Sequence, residues 1–130
     1  MNRTSILKLI ALNFLALLFF QSCSKDEVTA SGSRAVKYEI TGDFTGSFIV
    51  AAVVANGSFE TFEVKKLPWV YEFTAAKTVT QVGASATGTG GRDGQKASYK
   101  VYIGGKEVSS GAGTAISGGI IQLNPKYYVF

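Results

Sequence analysis

Few side chains in this sequence could support catalysis. The chain has no histidine and one cysteine, Cys23, which excludes nucleophile–histidine pairs and zinc sites built on cysteine and histidine ligands. A glycosidase needs two carboxylates facing a cleft, and calcium needs closely spaced acids in one loop. No acidic residue here stands in either setting; the residues considered are Asp43, Glu60, Glu63, Glu72, Asp93 and Glu107. The sequence therefore predicts a protein that is not an enzyme and has no cofactor or metal site.

Aromatic and basic side chains are the remaining candidates for binding. Tyr102 alternates with apolar neighbours, so we expect it on the wet face of its strand, where it could stack on a sugar or a partner. Arg92 stands in the glycine-rich segment 88–94, which we expect to be a mobile loop at one end of the domain. Tyr127 belongs to the aromatic segment that closes the sequence. These three residues form the predicted binding surface.

Cys23 stands in a pattern typical of a lipoprotein signal. Arg3 and Lys8 precede an apolar run, 9–20, that is too short to span a bilayer, which takes about 20 apolar residues. The tetrapeptide Phe-Gln-Ser-Cys at 20–23 resembles the lipobox of bacterial lipoproteins. We therefore predict that residues 1–22 are a removable signal and that Cys23 is lipidated. Ordinary cleavage around Cys23, leaving no lipid, is the alternative.

Residues 23–34 are small or charged and predict a flexible tether, followed by one domain over 35–130. Lys25-Asp26-Glu27 looks like the export signal that sends Bacteroidota lipoproteins to the cell surface; the alternative is a merely solvated linker, with the protein on the periplasmic face. After removal of the signal the net charge falls from +4 to +2, because two of the 13 Lys and Arg are lost with it. The basic residues form no dense run, so nucleic acid is not expected as a partner.

The domain alternates apolar and polar residues with period two and shows no helical period. The sequence therefore predicts an all-β fold, an immunoglobulin-like antiparallel β-sandwich of about seven to nine short strands. Asn56-Gly57 and Gly104-Gly105 predict tight hairpin turns, and 48–54 predicts a strand covered on both faces. Residues 78–86 predict a single strand, and 111–119 a bulged or flexible connection. Trp69, Tyr71 and Phe73 share one strand face, which is more typical of a core than of a ligand shelf.

Three motifs resemble successive parts of the MmpS domain: Val-Lys-Tyr-Glu-Ile-Thr-Gly at 36–42, Leu-Pro-Trp-Val-Tyr at 67–71 and Gly-Lys-Glu-Val at 105–108. MmpS proteins are accessory subunits of mycobacterial RND-type exporters called MmpL, and their extracytoplasmic domain is a β-sandwich. The resemblance covers Ala35 to the last residue. The chain departs from the family where Tyr99 stands in place of the first cysteine of a usual pair, and where Cys23 stands in place of a transmembrane anchor. The resemblance therefore implies a fold and leaves the partner open.

Two functions follow from these observations. The first is a non-catalytic, lipid-anchored envelope module that docks onto a transport-related partner or holds a hydrophobic ligand. The second is a cell-surface structural or adhesive lipoprotein that contacts glycan or host protein. Both place the protein at the outer membrane or cell surface, held by its N-terminal lipid.

Overall fold

The computed structural model describes residues 32–130, so the predicted signal, the predicted lipidation site Cys23 and most of the predicted tether lie outside the described residues. The described part is built from ten β-strands. They are β1 (Ala35–Gly42), β2 (Ser47–Val53), β3 (Phe59–Val64), β4 (Trp69–Thr74), β5 (Gln81–Val82), β6 (Ala84–Thr89), β7 (Lys96–Ile103), β8 (Lys106–Thr114), β9 (Ile121–Leu123) and β10 (Tyr128–Val129).

The strands form two four-stranded sheets and one small pair. The first sheet has the order β4-β1-β7-β8, the second has the order β3-β2-β6-β9, and β5 pairs with β10. Every pairing between strands is antiparallel. The predicted all-β antiparallel sandwich is confirmed, and the strand count exceeds the prediction by one because the segment predicted as a single strand over 78–86 contributes to both β5 and β6.

The core lies between the two sheets and follows the period-two pattern of the sequence. In β1, Val36, Tyr38 and Ile40 are buried while the residues between them are partly exposed. Phe48 and Val50 of β2 face them from the second sheet and are also fully buried. Each such side chain contributes about 1.5–3 kcal/mol by leaving water, so alternate residues hold the sheets together.

Tyr38 links the two sheets through its hydroxyl. The hydroxyl donates to the Val53 carbonyl at 2.8 Å and accepts from the Gly83 N–H at 3.0 Å. The Gly83 carbonyl in turn accepts from the Val53 N–H at 2.9 Å. Gly83 turns its N–H toward Tyr38, and this interrupts the strand. The prediction of a single strand over 78–86 is therefore wrong, and β5 and β6 are found in its place.

Two glycine turns join neighbouring strands, and only one has the predicted geometry. Gly104 and Gly105 have φ of 56° and 82°, as a two-residue hairpin requires, and this prediction is confirmed. At Asn56-Gly57 only Gly57 has a positive φ, 85°. The prediction of a two-residue turn is wrong there because the Gly57 N–H donates to the Val54 carbonyl at 2.9 Å, which makes a longer loop ending in a left-handed glycine.

Two further predictions are wrong. The strand β2 is covered on one face only, since Ile49 on its outer side is 52% exposed. The small-residue segment 111–119 is not a loose connection throughout, because its first four residues extend β8 to Thr114. Position 113 suits a glycine, because a Cβ there would come within 2.7 Å of the Gln122 carbonyl oxygen. Glycines in strands often mark such a close approach of two backbones.

The sandwich has two ends, and β1 begins at one of them. This end, called the tether end below, holds Arg34, the Gly104-Gly105 turn and Phe130; Arg34 donates to the carbonyls of Ala75, Ala76 and Val79. The opposite end, called the far end, consists of the loops 43–46, 65–68, 90–95 and 115–120.

Candidate functional site

The outer face of the first sheet carries the most polar side chains that are placed in register. Lys37, Glu39 and Thr41 of β1 point away from the core, since they alternate with its buried residues. In the antiparallel register these three residues lie opposite Tyr102, Lys100 and Ser98 of β7. Directly opposed strand residues have Cβ atoms about 4.5–5.5 Å apart, so the six side chains form a continuous polar surface.

A charged network occupies the half of this face nearer the tether end. The Lys37 ammonium lies 4.1 Å from the centroid of the Tyr102 ring and 3.7 Å from a Glu39 carboxylate oxygen. The Tyr102 hydroxyl donates to the other Glu39 oxygen at 3.3 Å. Lys100 lies 3.2 Å from Glu107, and this hydrogen bond, followed by the carboxylate charge, raises the pKa of Lys100. The network joins charged side chains of β1, β7 and β8 on one surface.

The other half of the face is a groove of about 620 Å³. Its floor is shallow because small residues follow one another across β1, β7 and β8. Ser98 and Thr41 supply two hydroxyls, whose oxygens lie 3.1 Å apart. Asp43 accepts from the Lys96 N–H at 2.6 Å. The groove, called the sheet groove below, is lined by Thr41, Gly42, Asp43, Lys96, Ala97, Ser98, Ala112, Gly113 and Thr114.

The three residues predicted to form one binding surface lie at different places. Tyr102 is half-buried rather than exposed, because Lys37 covers one face of its ring. Arg92 lies in a far-end loop, where its N–H donates to the Gln95 side chain at 2.8 Å. From Lys96, which begins β7 beside that loop, six strand residues lead to Tyr102, a rise of roughly 20 Å.

Tyr127 lies at the side of the sandwich and is 43% exposed. Its ring packs against Gly83, where a Cβ would come within 2.7 Å of the ring. Among residues 32–130 no hydrogen bond, ion pair or ring contact joins Tyr127 to Tyr102 or Arg92. The structure therefore does not bring the three together.

The aromatic strand β4 packs at another side of the sandwich. Trp69, Tyr71 and Phe73 are half-buried and pack against the core, as a structural role requires. Phe62 of β3 lies 4.7 Å from the Tyr71 ring, centroid to centroid, and 5.7 Å from that of Trp69. These rings close the gap between the two sheets and leave the outer face of the first sheet as the stronger candidate.

Sequence reasoning missed the sheet groove. The sequence contained part of the information needed to find it. The alternation that places Lys100 and Tyr102 on the outer face of β7 also places Lys96 and Ser98 on that face. The contribution of β8 was not recognisable, since its glycines were interpreted as a flexible connection. Pairing of Ser98 with Ala112 and of Lys96 with Thr114 is what completes the groove.

The described part of the chain holds no group of three or more His, Cys, Asp or Glu side chains arranged to bind a metal ion. Within residues 32–130 there is no helix long and apolar enough to cross a membrane. No protein-family model, curated protein or solved structure was found to match this chain.

Proposed function

We propose that this protein is a non-catalytic, lipid-anchored protein of the cell envelope that binds a partner protein through the outer face of the first sheet. The observation that carries the proposal is the sheet groove beside a charged network. Hydroxyl, ammonium and carboxylate groups within one concave surface can recognise polar groups of a partner. The proposed partner is a transport-related envelope protein, a class that the MmpS resemblance suggests without identifying the partner.

A surface contact fits this domain better than a hydrophobic ligand held between the sheets. The space between the sheets is filled by large side chains that are 0% exposed, among them Tyr38, Tyr99 and Phe48. Separating the sheets to admit a ligand would give up this packing, at a cost of about 1.5–3 kcal/mol for each large side chain removed from contact. The proposal therefore assigns recognition to the outer face.

A pair of matched serine substitutions tests the use of this face. Ser98→Arg fills the sheet groove, whereas Ser85→Arg adds the same side chain to the exposed outer face of the second sheet. Each full-length variant is expressed in the native host, and the partner is captured by cross-linking in intact cells. We expect Ser98→Arg to lose the cross-linked partner and Ser85→Arg to retain it. Equal capture by both variants would refute the assignment.

The anchor and the location need separate tests. Labelling with a fatty-acid analogue should be lost in Cys23→Ala, and unchanged labelling would contradict the lipid anchor. Protease treatment of intact cells should remove the domain if it is on the surface. Binding to a glycan array would favour the adhesive alternative, although Lys37 already covers one face of the ring that would stack on a sugar.

A further inference from the structure

The strand β8 is the least protected of the four sheet edges. Edge strands that avoid pairing with other chains usually carry charges or proline, or are very short. β3 contains Glu60 and Glu63, β4 follows Pro68, and β9 has three residues. β8 has nine residues, and beyond the irregularity in its pairing with β7 near Val108 its segment 109–114, Ser-Ser-Gly-Ala-Gly-Thr, has neither charge nor proline. An incoming strand would meet least obstruction there.

The backbone of β8 has hydrogen-bonding groups that point away from the domain. The Ala115 N–H donates to the Gln95 carbonyl of the segment leading into β7 at 2.7 Å. Because alternate residues of an antiparallel ladder face the same neighbour, Gly113 and Gly111 also face β7. The N–H and C=O groups of Ser110, Ala112 and Thr114 therefore face outward, and no backbone partner for them lies within residues 32–130.

The inner face of β8 packs against the backbone of another segment of the domain. A Cβ at Gly113 would come within 2.7 Å of the Gln122 oxygen, and one at Gly111 within 3.0 Å of the Pro125 nitrogen. The two glycines thus allow the strand to lie directly on the backbone of the segment 121–125. The free edge is held in place on its inner face, which reduces the entropy that a binding partner must overcome.

Two concave surfaces flank this edge. The sheet groove lies on one side, at Ala112, Gly113 and Thr114. A second groove, of about 320 Å³, is lined by residues 107–110 and by Lys126. In strand addition the backbone supplies hydrogen bonds while grooves take alternate side chains of the added strand.

The charges around the edge favour an acidic occupant. Lys96, Lys106 and Lys126 form no ion pair within residues 32–130, whereas Glu107 is paired with Lys100 and the Asp43 carboxylate accepts from the Lys96 N–H. A second copy of this chain fits less well. Pairing of two β8 strands would bring the same unpaired lysines to both sides of the junction, and like charges repel.

We propose that β8 binds an extended, acidic segment of a partner protein by strand addition. This inference rests on the proposed function and names the chemical class of the partner. The added strand hydrogen-bonds to Ser110, Ala112 and Thr114, and its carboxylates lie near the three unpaired lysines.

Binding of two synthetic peptides tests this proposal. The probes are fluorescent ten-residue peptides, one alternating Glu with Val and the other alternating Lys with Val, titrated against the full-length protein in detergent. We expect the Glu/Val peptide to bind at least about tenfold more tightly, and to slow hydrogen exchange at the amides of Ser110, Ala112 and Thr114. Equal affinity for both peptides, or protection elsewhere, would overturn the proposal.

Substitutions at the edge separate backbone pairing from charge. Ala112→Pro removes an outward N–H and should weaken Glu/Val binding at least about tenfold, whereas Thr61→Pro, which removes an outward N–H from the edge strand β3 of the other sheet, should leave it unchanged. Lys106→Glu combined with Lys126→Glu leaves the β8 backbone intact and should remove the preference for the acidic peptide. Circular dichroism checks that each variant is folded. Normal binding by Ala112→Pro would contradict strand addition even if the charge variant behaved as expected.

The two proposals can fail separately. If Ser98→Arg abolishes partner capture but neither peptide binds, the outer face stands and strand addition is wrong. If the Glu/Val peptide binds β8 but Ser98→Arg still captures the partner, strand addition stands and the groove assignment is wrong. Chemical cross-linking that yields a dimer sensitive to Ala112→Pro would assign the edge to a second copy and overturn the acidic partner.

Discussion

Two tyrosines lie side by side in the core, and their hydroxyls are in different situations. The rings of Tyr38 and Tyr99 are 5.9 Å apart and both residues are 0% exposed. The Tyr38 hydroxyl bonds to Val53 and Gly83. The Tyr99 hydroxyl is buried and has no hydrogen-bond partner within the described residues.

Removing each hydroxyl should therefore have opposite effects on stability. Tyr38→Phe leaves a buried N–H and a buried carbonyl without their partner, and should lower the free energy of unfolding by about 1–3 kcal/mol. Tyr99→Phe removes an unpaired polar atom and should be neutral or stabilising by up to about 1 kcal/mol. Urea unfolding of both variants measures the difference. A loss of stability in Tyr99→Phe as large as that in Tyr38→Phe would contradict this account.

The same two residues should make the fold sensitive to alkali. Burial raises the pKa of both Tyr38 and Tyr99 above the usual value near 10. Above pH 10 the unfolded chain releases these protons while the folded chain keeps them, so stability falls as pH rises. Each tyrosine contributes a slope of about 1.4 kcal/mol per pH unit. Between pH 10 and 12, Tyr99→Phe should unfold with a shallower pH dependence than the parent, and identical slopes would show that Tyr99 does not contribute.

For individual residues, the sequence predicts which face of a strand a side chain occupies better than it predicts which residues that side chain contacts. The alternation in 36–41 and 98–103 correctly assigns Tyr38 and Tyr99 to the inner face. The bond from Tyr38 to Gly83 joins residues 45 positions apart, and no local pattern reports it. Tyr102 shows the same limit. The sequence places it on the polar face of its strand, but it does not reveal that Lys37, on another strand, lies over its ring.

Among the elements, β8 shows how a glycine-rich segment can be a strand. Glycine is unfavourable in an isolated strand, so the residues 111–114 predict a connection when considered alone. The tertiary structure reverses this preference, because the backbone of the segment 121–125 lies where a side chain would be. Predicting this strand would have required the packing of the second sheet under the first.

A single methyl group on β8 should therefore be costly. Gly113→Ala places a Cβ 2.7 Å from the Gln122 oxygen, and we expect a loss of about 1–3 kcal/mol in the free energy of unfolding. Ser110→Ala, on the outer side of the same strand, should change stability by less than about 0.5 kcal/mol. Thermal and urea unfolding compare the two. Equal stability of both variants would mean that β8 does not pack on this backbone.

For the whole molecule, the sequence predicts the two-sheet sandwich but not which strands are neighbours. Hairpins such as β7–β8 follow from local turns, whereas β1 pairs with β4 and β7, which are distant in the sequence. The candidate site depends on these distant pairings, because β1, β7 and β8 each supply part of the sheet groove. This is why the groove was absent from the predicted binding surface.

Arg34 joins distant parts of the molecule at the tether end. Its guanidinium donates to the carbonyls of Ala75 and Ala76 at 3.1 and 2.7 Å, and lies 3.9 Å from the Phe130 ring centroid. Arg34→Ala should lower the free energy of unfolding by about 1–2 kcal/mol, allowing for its partial exposure. Arg34→Lys should restore only part of this, since an ammonium cannot reproduce the planar set of donors.

Hydrogen exchange gives a local check on the same change. The Phe130 N–H donates to the Thr80 carbonyl at 3.0 Å, and its exchange should accelerate in Arg34→Ala. Amides at the far end, such as that of Gly91, should keep their rates after correction for global stability. Uniform acceleration throughout the domain would mean that Arg34 has no local role.

The central position of β1 has a mechanical consequence. Its first residue, Ala35, follows the segment that leads from Cys23, and the strand is hydrogen-bonded on both flanks, to β4 and to β7. A pull on that segment, opposed by a partner held at β8 or the far end, acts along the strand and loads both ladders at once in shear. Bonds that share a load must break together, so the domain should resist a pull on that segment far better than peeling from an edge strand.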